Sequence, residues 1–340
     1  MSKVPTALAI FQLIEKKMLS LEDKMQDILQ LSTPSGDSPP DSRFSEITIQ
    51  HLLEHTSGLG DIDSLGVLKA FKDTAHLPVT AEMVNSALAS LNLLSDPGNL
   101  KKQRYSNTGY YMLAQVIGTK WSQTFRPIDA YQKHLFTPLS ITRIRRGVSL
   151  IADQPPDEAR YQNHDIRVFK SVMSDAQPLV ADGYGSDPNP IEIDEGAGGL
   201  SAAATDLARL IAILISQKDS PGGALTRDTL TGMLAKGAQL TAAGFGRAGY
   251  GFDALNDLGG GQQFYGQKGG LGDTTGTVFQ FNRPQGWGFT LLQAGNGGAL
   301  YPSNLVYPDV YPDFPEVMNI AQNTDWGSAD LFPEFGMPSL

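Results

Sequence analysis

Residues 6–19, TALAIFQLIEKKML, constrain the fold more than any other stretch of the chain. Ala7, Leu8, Phe11, Ile14 and Met18 fall at helical spacing, and the first two turns are apolar on nearly every side. Such a helix has no face to offer water and must be surrounded by other elements. Thr6 is placed to cap its start, just after Pro5. The expectation is an opening helix at the centre of a core, with the remaining elements built round it.

The rest of the chain divides by pattern. SLEDKMQDIL reads as a turn and a short second helix, and residues 32–43 as a polar loop. SEITIQHLLEH (45–55) reads as a short strand running into a helix. Residues 80–95, 107–121 and 200–217 are helix candidates, and 150–195 is a Pro-, Asp- and Gly-rich loop region. Towards the end, Gln262–Gly266, Thr275–Asn282 and Gly288–Ala294 alternate as strands. Gly269-Gly270-Leu271-Gly272 and Asn282-Arg283-Pro284-Gln285-Gly286 read as the turns between them. This is the pattern of an antiparallel meander. Helices in the middle and strands at the end predict a mixed α+β architecture: an antiparallel sheet flanked by helices, plus an all-helical lobe. We expect one domain over residues 1–297 and an extension over 298–340, with a short helix near Pro315–Gln322 closing the sheet.

Composition narrows the function. Lys+Arg 26 against Asp+Glu 36 leaves a net charge of -10, the wrong sign for gripping nucleic-acid phosphates or an anionic membrane. The absence of Cys excludes disulfides, thiolate nucleophiles and Cys-ligated metals, and 5 His make a histidine-rich metal cage unexpected. No cofactor or metal is expected. No stretch reaches the roughly 18 apolar residues of a membrane span. The start lacks a cleavable apolar region, which favours the cytoplasm for the chain as it stands, although a segment ahead of it would reopen the question. There is no G-x-S-x-G elbow of the α/β-hydrolase kind.

Three places carry chemistry. They are Ser2-Lys3 at the mouth of the apolar helix, Tyr105-Ser106-Asn107 at the start of YSNTGYYMLAQVIG, and Gln267-Lys268-Gly269-Gly270-Leu271 beside a strand. Taken singly, each has a bland reading: a solvated lysine, a capped helix start, a glycine turn. Together with HLLEHTSGLGD (51–61) and GAGGLSAAATDLARL (196–210), their order resembles the serine β-lactamase-like superfamily, in the branch of class C β-lactamases, D,D-peptidases and related esterases. The resemblance runs to about residue 297 and implies a β-lactamase/transpeptidase-like fold.

The resemblance also implies roles. The family's first motif is S-x-S-K, with the first serine as nucleophile. Lys3 matches its lysine, Ser2 its second serine and Met1 the residue between, so the nucleophile would stand immediately upstream of Met1 and is not in this sequence. Either the start lies at an internal methionine of a longer protein, or the chain cannot form an acyl-enzyme. The intact surroundings favour the first. Tyr105 and Asn107 meet the Tyr-x-Asn motif in full. Lys268-Gly269-Gly270 fits the Lys/His-x-Gly motif, with Gly269 in place of the Thr that often binds a substrate carboxylate. A second register would put Gln267 at the cationic position, and Lys268 is preferred because Gln has no charge.

In this scheme Lys3 or Tyr105, its phenolate favoured by the ammonium groups of Lys3 and Lys268, takes the serine proton. Asn107 orients Lys3 and the substrate carbonyl. The backbone around Gly270, with the N–H of Leu271, completes the oxyanion hole. His55 reads as a structural core histidine. With Ala202-Ala203 where the family has Ser-Thr, Ser201 or Thr205 is left to cap the 200–217 helix, and Asp206 favours its N-terminus by charge. The implied activity is a serine hydrolase or acyltransferase acting on a small-molecule ester or amide, esters favoured. The alternatives are an inactive ligand-binding form, and a β-lactamase or D,D-peptidase.

Overall fold

The opening helix, α1, spans Lys3–Glu15, and every residue from Lys3 to Leu13 is buried. The computed structural model describes residues 1–60, 77–122, 126–160, 168–181, 191–216, 218–244, 249–255, 263–271, 275–294, 319–320, 323–325, 327 and 329–340. α1 begins three residues before the expected cap. Pro5 stands in its first turn, where a missing N–H breaks no helical bond. The Thr6 hydroxyl, freed from capping, lies 3.0 Å from the Ser2 carbonyl, 2.8 Å from the Gly196 carbonyl and 2.8 Å from the Tyr131 hydroxyl. The helix stops at Glu15, and Lys17 turns the chain with a positive φ of 58°, which leaves Met18 exposed.

The helical part continues with α2 (Met25–Leu29), α3 (Ile49–Leu53), α4 (Ala81–Ala89), α5 (Asn107–Ser122) and α6 (Pro127–Ala130), the last running on as a wider turn to Phe136. α5 packs against α1, α2, α3 and α6 and forms the centre of the helical lobe. The expected strand ahead of α3 is instead a 3-10 turn over Ser42–Glu46; only a single bridge, Lys24 to Thr48, has strand geometry. The Thr48 side chain accepts from the His51 N–H and so starts a helix where the sequence pattern reads as extended.

Short strands β1 (Ile144–Arg146), β2 (Val168–Lys170), β3 (Leu179–Ala181) and β4 (Leu200–Ala202) follow; β1 pairs with β4 and β2 with β3, so the loop region over 150–195 carries a small ribbon. α7 (Ala204–Ile215) comes next. Its cap position is Ala203, with no side-chain bond. Ser201 is absorbed into β4, and the Thr205 hydroxyl accepts from Arg143 instead. Asp206, fully buried, accepts from the backbone N–H of Thr142 (2.9 Å) and of Arg143, so it ties α7 to the β1 segment while keeping its charge in the first turn. Arg209, also in α7, donates to the carbonyls of Leu139 (2.7 Å) and Pro338 (2.6 Å), which anchors the C-terminal tail.

After α8 (Arg227–Ala242), strands β5 (Asp253–Leu255), β6 (Phe264–Leu271), β7 (Thr275–Asn282) and β8 (Trp287–Ala294) form the expected antiparallel meander in the order β5-β6-β7-β8. β6 differs from expectation. It runs straight through Gly269, Gly270 and Leu271, with continuous pairing from Tyr265–Phe281 to Leu271–Thr275. α7 packs on β7 and β8, and one apolar core joins helical lobe and sheet. The boundary near 298 and most of the expected 315–322 helix lie outside the described residues.

Candidate active site

Lys3, in the first turn of α1, is 3% exposed. Its ammonium donates to Asn107 Oδ1 at 2.6 Å and to the Ala197 carbonyl at 2.9 Å. It also lies 4.8 Å from the ring centre of Tyr105 and 5.6 Å from that of Tyr110. Every one of these partners is neutral. A buried ammonium held only by neutral acceptors and aromatic faces is costly to keep, and such groups concentrate where chemistry is done.

The local sequence explains the partners. Ser106 accepts from the Gly109 N–H at 3.2 Å and so starts α5, which puts Asn107 at the first helical position facing Lys3. Tyr105, just outside the helix, is 37% exposed and so brings the cluster to the surface. His55 is buried, with a positive φ of 56°. Its Nδ1 accepts the Ser106 N–H at 3.2 Å, and its ring lies 4.7 Å from that of Tyr105. The HTSGL segment therefore underlies the tyrosine and holds it in position. The Ala197 carbonyl belongs to a tight turn in which the Asp194 carbonyl accepts from the N–H groups of Ala197, Gly198 and Gly199. In the same turn a Cβ on Gly196 would come 2.3 Å from the Tyr110 carbonyl, so the turn can approach α5 only through glycine.

β6 brings the third element to this cluster. A Cβ placed on Gly269 would point at the Met1 amine (3.3 Å) and at Thr277 Oγ1 (2.7 Å). Residues of one strand alternate between faces. Tyr265, Gln267 and Gly269 therefore share the face turned towards the start of α1, and Lys268 and Gly270 take the other. The neighbouring strands agree. Phe281, opposite Tyr265, belongs to the core shared with the helices, and Gly288, opposite Phe281, lies against Ile211 of α7. This corrects the placement of Lys268: the β6 side chain on the site's face is Gln267, 5% exposed. The second ammonium beside Tyr105 is then missing from that face.

The same ladder corrects Leu271. A Cβ on Gly266 would meet the Phe279 carbonyl, so that carbonyl points at β6. The Val278 and Gln280 carbonyls point the other way, reached by Thr290 Oγ1 (3.0 Å) and by a Cβ on Gly288. In an antiparallel pair the odd-numbered residues of β6 then direct their N–H and C=O groups to β7, and Gly270 directs its own away from it. The Leu271 N–H is turned into the ladder. The Gly270 N–H is turned to the outer edge, where β5 reaches only to Gly266.

Two titrating groups flank the cluster. Burial, and secondly the charge of Lys3, bring the Met1 amine down to about 5, with Asp253 and Asp194 opposing. Burial pushes the Glu195 carboxyl up to about 7, with Arg146 at 3.8 Å only partly opposing it, while its Oε2 accepts the Ile128 N–H at 2.8 Å. The Ser2 hydroxyl is buried and accepts the Leu200 N–H at 3.1 Å. Among the described residues no group of three or more His, Asp or Glu is disposed to hold a metal ion, and no helix is long and apolar enough to cross a membrane. An ammonium, a phenol, an amide and an edge N–H thus surround the start of α1, an arrangement able to move a proton and hold a developing oxyanion.

Comparison with known proteins gives the same arrangement a context. The Beta-lactamase family matches residues 1–305. A probable fimbrial assembly protein, FimD of serogroup H1, from Dichelobacter nodosus is 27% identical over 223 residues, 65% of this chain and 48% of that protein. The chain thus spans about half the length of the curated relatives of this kind. Among solved structures, a D-stereospecific amidohydrolase from Streptomyces sp. superposes with a TM-score of 0.61 at 18% identity, covering 96% of this chain and 85% of the other. EstCE1, described as a hydrolase with promiscuous acyltransferase activity, gives 0.60 at 18% identity, covering 92% and 81%. At these identities the likeness establishes the β-lactamase/transpeptidase-like fold.

Proposed function

The chain belongs to the Beta-lactamase family, and on that premise we propose that its cleft serves a serine hydrolase or acyltransferase that works through an acyl-enzyme, with carboxylic esters as the favoured substrates. The observation that carries this reading is the Lys3 ammonium, buried among neutral partners and 2.6 Å from Asn107 Oδ1 under the Tyr105 ring. Ser2 is committed to the Leu200 N–H, so the attacking hydroxyl belongs in this reading to a residue joined ahead of Met1. The buried Met1 amine beside Gly269 is where such a residue would enter.

The hydroxyl attacks the ester carbonyl, and its proton passes to Tyr105 or Lys3. The carbonyl oxygen takes up negative charge against the Gly270 N–H. As the carbon–oxygen bond breaks, the proton returns to the departing alcohol. Water, or a second alcohol, then repeats the sequence on the acyl-enzyme. EstCE1, named as a hydrolase with promiscuous acyltransferase activity, shares the fold on which this reading is built.

A serine joined ahead of Met1 is expected to give a burst of nitrophenol from a nitrophenyl ester, followed by slower turnover. An alanine at that place abolishes it. Loss of a serine nucleophile costs about a millionfold in turnover, so the chain as it stands is expected to be nearly silent. Absence of a burst with the serine present would overturn the acyl-enzyme reading. Nitrocefin turnover, or labelling by a fluorescent penicillin, would move the assignment to a β-lactamase or D,D-peptidase. The commitment of Ser2 to backbone favours one further reading, a form that binds its ligand without turning it over.

A further inference from the structure

Between the end of α1 and α8 lies an open groove that none of the residues assigned to catalysis lines. We propose that it is a second, non-catalytic site that binds an apolar carboxylate, a small molecule with an alkyl or aryl body and one negative charge. Its volume is about 640 Å³, inside the range of about 300–1,000 Å³ usual for small-molecule sites. Glu15 Oε1, at the end of α1, accepts from the Thr226 N–H at 2.9 Å and from its hydroxyl at 2.6 Å, which pins α1 to the start of α8. Thr229, Gly232, Met233 and Lys236 then fall on one face of α8, at i, i+3, i+4 and i+7, and line the groove together with Phe11 and Ile14 of α1. Tyr250, its ring centre 5.2 Å from that of Phe11, adds aromatic surface. Gly232 leaves room on the α8 side: a Cβ placed there would meet nothing within 4 Å.

Charge selects the ligand. Among the described residues that line the groove, Lys236 is the only one charged at neutral pH. Its side chain is 27% exposed, and its ammonium lies 3.0 Å from Glu54 Oε1 and 5.9 Å from the centre of the Tyr250 ring. Glu54 itself is buried and is not part of that lining. An ammonium has three N–H donors, so the bond to one carboxylate oxygen leaves others to offer. A ligand carboxylate beside Lys236 meets a cation while keeping water on its open side. Its apolar body covers Phe11, Ile14 and Met233, and removing that surface from water favours binding. A ligand cation in the same place would face the like charge of Lys236.

The test is a calorimetric titration of the full chain with decanoate and with decyltrimethylammonium, which share a chain length and differ in the sign of charge. Decanoate is expected to bind saturably, with one site per chain, and at least tenfold more tightly. Gly232→Phe, whose ring would fill the groove, is expected to weaken decanoate at least tenfold with the fold intact, and Lys3→Met to leave its binding unchanged. Lys236→Gln is expected to remove the preference for the anion. If that variant does not fold, because Glu54 is left buried without its partner, the double variant Lys236→Gln, Glu54→Gln removes both charges and is expected to give the same result. Equal or tighter binding of the cation by the parent chain would overturn the proposal, as would no saturable binding of decanoate. So would binding that follows Lys3 and not Gly232, which would place decanoate in the candidate active site. Sedimentation showing a dimer that Gly232→Phe breaks would give the groove to a second copy of the chain and overturn it too.

Discussion

Lys3 and Arg209 are both cations inside the protein, 3% and 2% exposed. Each bonds to a backbone carbonyl and lies over an aromatic ring, Lys3 over Tyr105 at 4.8 Å and Arg209 over Phe332 at 5.3 Å. They differ in what they join. Arg209 uses its planar fork to tie Leu139 to Pro338, two segments far apart in sequence. Lys3 ends beside a half-exposed tyrosine with a side-chain amide as its nearest partner. Two equally buried cations therefore do different work: one holds segments together, the other keeps a charge beside Tyr105.

The largest effect should come from Lys3→Met in a chain with a serine ahead of Met1. Ester turnover is expected to fall by about 10²–10⁴-fold, the range for a lost acid–base group. Unfolding free energy should stay within about 1 kcal/mol of the parent, because the removed charge was itself costly to bury. Equal losses of turnover and stability would erase the contrast. Arg209→Met should do the opposite. Two carbonyls lose their donor and the tail loses its anchor, so urea unfolding should register a loss of roughly 2–4 kcal/mol, with turnover per folded molecule unchanged. A fall in turnover with unchanged stability would break the comparison from that side.

A third test probes the turn that holds Lys3. Folding raises the Glu195 carboxyl from 4.5 to about 7. Between those values the folded protein binds a proton that the unfolded chain has released, so stability from this group is fully present below about pH 4.5 and is lost as pH rises to about 7. Glu195→Gln keeps an acceptor for the Ile128 N–H and cannot titrate. The stability of the parent minus that of the variant should therefore drop by up to roughly 3 kcal/mol from pH 4.5 to pH 8, and a flat difference would mean that Glu195 ionises as it does in water. The Met1 amine works in the opposite direction. Its proton is released on folding between pH 8.0 and about 5, so stability from it grows with rising pH over that window and vanishes once a residue is joined ahead.

Much of this protein could be read from its residues in order. The all-apolar opening helix, the helix begun at Ser106, the meander at the end and the convergence of Lys3 with Tyr105 and Asn107 all follow from local pattern or motif order. The failures have two causes. The strand expected ahead of α3 gave way to the Thr48 cap, a local bond. The cap expected on α7 and the turn expected at Gly269-Gly270 were decided by partners distant in sequence, the backbone of Thr142 and the pairing of β6 with β7.

Gln267 and Lys268 make the division plain. The order of residues determined that an amide, an ammonium and two glycines would arrive together at the end of a strand. It did not determine which of them faces Lys3, because the alternation over Gln267-Lys268-Gly269-Gly270 carries no apolar signature. Pairing with β7 and packing of the sheet against α7 decided that, and a slip of one residue would have reversed it, since neighbouring side chains on a strand point to opposite sides.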